Sequence, residues 1–225
     1  MNSPLVSIIV AAKNAERFLS QALDSIFAQS YQNFEVLLIN GVSTDRTLEI
    51  AKSYKNIQII EQQNKGIANA YNLGISNAKG ELVAFLSSDD IWKPNKLTVQ
   101  VSFLINHPEI GFTTAHAEFF LEAESQIPAG FRRNLLVGSH PAHIMETLVA
   151  RKEIFKQVGL FNTDFFISED VDWFARAKDL QIPFALMPET LLSKRVHDKN
   201  TSLKDKTNKD LLLALRKSIE RKKNS

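Results

Sequence analysis

The sequence of 225 residues contains no cysteine. Disulfides and thiolate-held metals are therefore excluded, and the absence fits a reducing compartment. Glycine is scarce, at eight residues. None forms a Gly-x-Gly-x-x-Gly run after the first apolar segment, where the chain instead reads Ala12-Lys13-Asn14-Ala15-Glu16. A dinucleotide fold needs such glycines to bring backbone against a pyrophosphate, so hydride transfer is disfavoured. A Gly-x-x-x-x-Gly-Lys-Ser/Thr loop is also missing, which removes the common phosphate-cradling ATPases. No apolar run approaches the roughly eighteen residues of a membrane span. Met1–Pro4 has no basic flank, and Leu5–Ala12 is too short for a signal peptide, so a soluble, cytoplasmic protein is expected. Strong charge of one sign is lacking too. A net charge of +2 gives nucleic acid little electrostatic reason to bind.

What is present is an ordinary globular balance, 44% apolar and 23% charged, with enough apolar material for a full core. The first hundred residues alternate strand and helix signals. Leu5–Ala12, Phe34–Ile39, Ile57–Ile60 and Leu82–Leu86 read as strands. Helices are expected from an N-cap at Asn14 to about Gln29, and over Asp45–Tyr54, Ile67–Ala78 and Pro94–Asn106. This order predicts a parallel sheet with right-handed crossovers. Further on, Phe112–Phe120 reads as a strand and Glu122–Ser139 as a polar loop. Arg151–Val158 and Ser168–Leu180 read as helices and Phe184–Met187 as a short strand. After Thr201 the chain turns basic around a narrow stripe of Leu211, Leu212, Leu215 and Ile219. That segment reads either as a solvated tail or dimer helix, or as a helix lying on an anionic membrane surface.

Ser87-Ser88-Asp89-Asp90 closes the apolar run Leu82–Leu86. Two adjacent carboxylates at the C-terminal end of a buried strand lie where open α/β sheets bind ligands. A hard divalent cation holding a diphosphate suits them. Capping of the following helix is the plainer alternative. Glu169 and Asp170 open a helix, where its dipole favours acids. Consecutive helical positions diverge by about 100°, so one of them at most is expected to face a given proton.

Several blocks together resemble family 2 glycosyltransferases. They are Ser7–Asn14, Leu38–Thr47, Asn64–Ile75 with Ala78–Glu81, Phe85–Asp90, and Gly159–Asn162 with Glu169–Trp173. The order and spacing of the five carry the resemblance more than any one does. It implies an α/β GT-A fold, with a mixed, mostly parallel sheet between helices. The glycosyltransferase domain would span about 1–202, with a nucleotide half to about 110 and an acceptor half from about 111; 203–225 would form the basic extension. It further implies transfer of a sugar, with inversion, from a nucleotide-diphospho-sugar, first of all a UDP-linked one. The acceptor would be a glycan or lipid-linked hydroxyl in surface polysaccharide assembly, close to the inner face of the membrane.

By the same resemblance Ala11, Lys13, Asn14, Asn40, Lys65 and Asp89 contact the donor. Asp90 holds Mn²⁺ or Mg²⁺, and His197, in an Arg-x-His-x-x-Asn-x-Ser segment, ligates the metal or touches the diphosphate. Asp170 is the general base, with Glu169 as its fallback, and Leu121–Ser139 covers the site. His107, His116, His140 and His143 have weaker claims. The chain departs from the family pattern at Asn40, Asn64, Asn69 and Ser87, where relatives often carry acids. Those departures put base recognition and metal binding in question. They motivate a rival reading as a non-catalytic nucleotide-binding or assembly protein. A sugar nucleotidyltransferase is disfavoured, because no Gly-rich, Arg-containing loop follows the first strand.

Overall fold

The computed structural model describes residues 3–122, 126–165, 167–198 and 200, with Arg216 and Ser218. Its spine is four parallel strands: β1 (Val6–Ala12), β2 (Phe34–Asn40), β3 (Ile57–Glu61) and β4 (Leu82–Ser87). Helices α1 (Leu19–Phe27), α2 (Thr47–Ser53) and α3 (Ile67–Asn77) connect them. β1 and β4 are almost wholly buried, which is why they read as continuous apolar runs rather than alternating ones.

After β4 come the two-residue β5 (Ile91–Trp92), α4 (Lys96–Asn106) and β6 (Phe112–Leu121). Then follow β7 (Ser139–Ala142), β8 (Val149–Arg151), α5 (Ile154–Gln157), α6 (Glu169–Asp179) and β9 (Phe184–Val196). The sheet runs β3-β2-β1-β4-β8-β6-β9-β5, with β7 paired to β6. β8 joins β4 antiparallel, so the sheet is mixed, as expected, and its parallel half carries the C-terminal strand ends.

Two apolar clusters lie on the sheet's faces. One gathers α1 and α4 around Ile8, Leu23 and Leu97; the other gathers α3, α5 and α6 around Phe85, Phe155 and Trp173. In α3, Gly74 lies against Ile9, where an added Cβ would come within 2.5 Å of Ile9 Cγ2. Asn72 clasps the backbone of Phe161 with both ends of its amide, each at 2.9 Å. The Asn-x-Gly spacing thus serves packing.

Several expectations are corrected. Asn14 is not an N-cap: its φ is +49° and α1 begins five residues later, at Leu19. The strand expected at Phe184–Met187 continues to Val196, through a bulge at Pro188 and Glu189 opposite Ala115 and His116. The span read as one loop, Glu122–Ser139, contains a 3-10 turn at Arg133–Leu136 and ends in β7. The expected basic C-terminal element lies outside the described residues except for Arg216 and Ser218. Among the described residues no helix is long and apolar enough to cross a membrane.

Candidate active site

At the C-terminal ends of β1, β2 and β4, the register sets Ala11 beside Ile39 and Ser87. The chain leaving β1 is held open by the segment that precedes α2. Ser43 Oγ and Thr47 Oγ1 accept the backbone N–H groups of Asn14 and Ala15 at 3.0 and 2.7 Å. Asp45 accepts the N–H of Glu16 at 3.1 Å, and Asn14 Oδ1 accepts the N–H of Thr44 at 2.9 Å. The Ser-Thr-Asp-Arg-Thr run therefore shapes the loop after β1. Burial works against the Asp45 carboxylate, but hydrogen bonds from Thr47 and the Glu16 backbone outweigh it and hold its pKa below the ordinary value.

That loop walls a cavity of about 570 Å³, lined by Ala11, Lys13, Asn14, Arg17 and Phe18 with Ser87, Asp89 and His197. A second cavity, of about 250 Å³, is lined by Tyr71, Glu146, Glu169, Asp170 and Lys194. Ile67, Ser87 and Asp89 line both. Asp89 is therefore the carboxylate at the junction. The larger space offers cations from Lys13, Arg17 and, when protonated, His197. The smaller one is rich in carboxylates.

The two adjacent aspartates are placed very differently. β5 pairs antiparallel with β9, Ile91 opposite Ser193, and this brings Asp90 to Lys194 and Arg195. Asp90 is fully buried; its Oδ2 accepts Lys194 Nζ at 2.8 Å and its Oδ1 the backbone N–H of Arg195 at 2.8 Å. It lines neither cavity. The expectation that Asp90 is the metal ligand is revised on this ground, since both of its oxygens are engaged away from the open space. Asp89 Oδ2 instead lies 3.0 Å from His197 Nε2. Burial would raise the Asp89 pKa, but His197 and Lys194 bring it below the ordinary value.

Behind this turn, Arg195 fixes the geometry. Its Nε donates to the carbonyl of Asp89 at 2.8 Å, and its guanidinium lies between the rings of Phe18 and Phe120, at 4.3 and 4.6 Å from their centroids. It also pairs with Glu122.

Glu146 comes from the 3-10 turn Met145–Thr147 and is 8% exposed. Its Oε1 accepts the Ser87 hydroxyl and lies 3.3 Å from Lys194 Nζ. Trp92 Nε1 donates to its backbone carbonyl at 2.8 Å. Burial disfavours the Lys194 ammonium, yet Asp90, Glu146 and Asp89 more than restore it and raise its pKa above the ordinary lysine value. Asp170 has its pKa raised to about 6, by burial first and then by the Glu146 charge. Its Oδ1 accepts the N–H of Val171 at 2.7 Å.

Residues 7–159 match the family described as glycosyl transferase family 2. This chain belongs to that family. It is 33% identical over 221 residues to an uncharacterized glycosyltransferase of Haemophilus influenzae, covering 89% of this chain and 68% of the relative. It is 32% identical over 216 residues to an uncharacterized glycosyltransferase of Rickettsia typhi, covering 89% of this chain but 66% of that one. Among solved structures it resembles Staphylococcus aureus TarS 1-349 in complex with UDP-GlcNAc, with a TM-score of 0.78 and 18% identity, over 96% of this chain and 66% of that one. It also resembles the mannosyltransferase PcManGT of Pyrobaculum calidifontis in complex with GDP-Man and Mn²⁺, with a TM-score of 0.75 and 21% identity, over 98% and 65%. At these identities the structural likeness establishes the GT-A fold.

Of the donor-contact residues expected for a family 2 chain, Ala11, Lys13, Asn14 and Asp89 line the larger cavity with His197. Asn40 and Lys65 line neither cavity. Asn40 is buried, donates from Nδ2 to Glu61 Oε2 at 2.8 Å, and accepts the N–H of Ser43 at 3.3 Å. An aspartate there would face the Glu61 carboxylate, so the amide suits its neighbour. Glu169 and Asp170, of which one at most is expected to face a given proton, both line the smaller cavity. Ser168, immediately before α6, has a φ of +79° and lines the same cavity. His140 and His143 bond Val137 O and Thr114 Oγ1, each at 3.1 Å, and line neither cavity. Glu146 escaped the sequence reading altogether. It sits in a three-residue turn with no periodicity, and only its distance from Ser87 in space reveals it.

Proposed function

We propose that the chain transfers a sugar from a nucleotide-diphospho-sugar, UDP-linked in the first instance, to an acceptor hydroxyl, with inversion. The observation that carries this reading is the pair of cavities meeting at Asp89, one lined with cations and the other with buried carboxylates. Lys13, Arg17 and His197 would face the diphosphate, and the sugar would reach past Asp89 toward Asp170. Asp170 would take the acceptor proton. Its raised pKa of about 6 supports that role, because a general base works best near the operating pH. A single base suffices for a one-step displacement, which is why inversion accompanies the proposal. The acceptor would be a glycan or lipid-linked hydroxyl, at the cytoplasmic face of a membrane where surface polysaccharide is assembled.

Among the described residues, no group of three or more His, Asp or Glu side chains is placed to hold a cation unaided. Asp89 and His197 nevertheless converge to 3.0 Å. Mg²⁺ commonly binds through one or two protein carboxylates plus substrate phosphates. The residues thus fit a Mn²⁺ or Mg²⁺ ion that arrives with the diphosphate, held by Asp89 and His197. When bound, the ion would supply charge neutralisation to the departing nucleoside diphosphate.

A ligand that binds only the folded state raises apparent stability by mass action. Melting the protein with UDP, GDP and dTDP, each with Mn²⁺ and with EDTA, tests the reading. A rise in Tm with at least one nucleotide is expected; no rise with any of them contradicts it.

A further inference from the structure

The smaller cavity contains more than the base requires. Four carboxylates line it, Asp89, Glu146, Glu169 and Asp170, against one ammonium, Lys194. Glu146 is held at two points. Its Oε1 is fixed by the Ser87 hydroxyl and Lys194, its backbone carbonyl by the Trp92 indole. Among the described residues its Oε2 has no hydrogen-bond partner, although the residue is only 8% exposed. A buried carboxylate oxygen left without a donor is costly, and such groups ordinarily find one. In a cavity of about 250 Å³ that adjoins the larger one, a ligand hydroxyl is a donor able to reach it.

The chain's own sequence sharpens this. Position 87 carries serine, and the Ser87 side chain reaches the Glu146 carboxylate. A carboxylate from another part of the fold thereby stands at the end of β4, on the side facing Asp170, where both line one cavity.

We infer that Glu146 reads the sugar of the donor, accepting a hydrogen bond from a ring hydroxyl through Oε2, and that the cavity's surplus of negative charge restricts this sugar to neutral hexoses and excludes uronic acids. A carboxylate on the sugar would enter a space with four acids where, besides an ion held at Asp89, the one side-chain ammonium, Lys194, is already shared by Asp90 and Glu146. Like charges so close, in a poorly solvated site, repel strongly. A neutral hexose instead brings the hydroxyl donors that Glu146 lacks. Specificity would come both from a matched hydrogen bond and from a repulsive element. This rests on the donor-site reading above.

Calorimetric titration of the intact chain with UDP, UDP-glucose and UDP-glucuronic acid in Mn²⁺ tests it, with the GDP-linked or dTDP-linked series used instead if that base binds better. The wild type should bind the glucose-linked nucleotide more tightly than the bare diphosphate, and the glucuronate-linked one at least tenfold more weakly than the glucose-linked one. Glu146→Gln should leave the affinity for the bare diphosphate within about twofold. It should lose about tenfold in affinity for the glucose-linked form, the usual scale for a hydrogen bond to a charged group, and narrow the gap between glucose and glucuronate. The wild-type comparison stands on its own if Glu146→Gln does not fold. Equal binding of glucose- and glucuronate-linked nucleotides by the wild type overturns the inference while leaving the donor-site reading in place. So does an unchanged preference for glucose in a folded Glu146→Gln protein. Failure of every nucleoside diphosphate to bind removes the donor-site reading, and this inference with it.

Discussion

At the scale of single residues, the site is decided by which carboxylates stay open and which are spent. Asp170 is held in its charged form at a cost. Its folded pKa of about 6 lies above the ordinary aspartate value of 3.8. A group with a raised folded pKa binds protons more readily in the native state. Its ionisation therefore costs stability as pH rises through this window, fully so above about pH 6. Discounted for the partial exposure of the side chain, the cost is about 1–2 kcal/mol at neutral pH. Asp170→Asn removes it and keeps an acceptor for the Val171 N–H, so the urea midpoint at pH 7 should rise and the gain should vanish near pH 4. The same substitution should lower transfer by roughly 10²–10⁴-fold with little effect on donor affinity. In the wild type, transfer should climb with pH through about 6, as the base deprotonates. A flat profile between pH 5 and 8 would contradict the assignment. Burial raises the Asp90 pKa too, to about 7, but Asp90 differs from Asp170 in having a cation bonded to it. It is the inner half of a buried pair with Lys194, and breaking such a pair from one side costs about 3 kcal/mol. Asp90→Asn should lower Tm markedly by leaving the Lys194 ammonium with Glu146 alone, and Asp89→Asn should lower it less, through loss of the His197 and Lys194 interactions that hold the Asp89 pKa down.

Elements carry these residues to one place, and here the sequence was legible in some parts and silent in others. β1 to β4 could be read because strands buried on both faces are unbroken apolar runs. α3 could be read from its spacing, and its glycine has a packing reason. Gly74→Ala raises helix propensity yet drives a Cβ into Ile9. Overpacking of this kind costs about 1–3 kcal/mol, so the substitution should destabilise, as measured by chemical denaturation; stabilisation would show that α3 can shift away from β1. β9 was read at a fraction of its length because Pro188 and Glu189 interrupt it. Proline cannot donate to a ladder, and the bulge it occupies hides the continuation toward Lys194 and Arg195. β5, β7 and β8 are too short to show any period. The expectation of a metal at Asp90 rather than at Asp89 has the same cause. Adjacent residues look alike in sequence, and only the antiparallel pairing of β5 with β9 determines which one is buried.

Across the whole molecule, the loop after β1 walls a cation-lined cavity, while the end of β4, the Met145–Thr147 turn and the start of α6 supply the carboxylates of a second one, with Asp89 lining both. Family membership follows from the match over residues 7–159, while the proposed chemistry depends on that junction. The most direct test is titration of UDP into the wild type, Asp89→Asn and Asp90→Asn, each in Mn²⁺ and in EDTA, below the Tm of the weakest variant. The account predicts tight binding by the wild type that EDTA weakens at least tenfold. It predicts weak, EDTA-insensitive binding by Asp89→Asn, and a Mn²⁺ effect retained by folded Asp90→Asn. Loss of the Mn²⁺ effect in folded Asp90→Asn together with its persistence in Asp89→Asn would contradict the account.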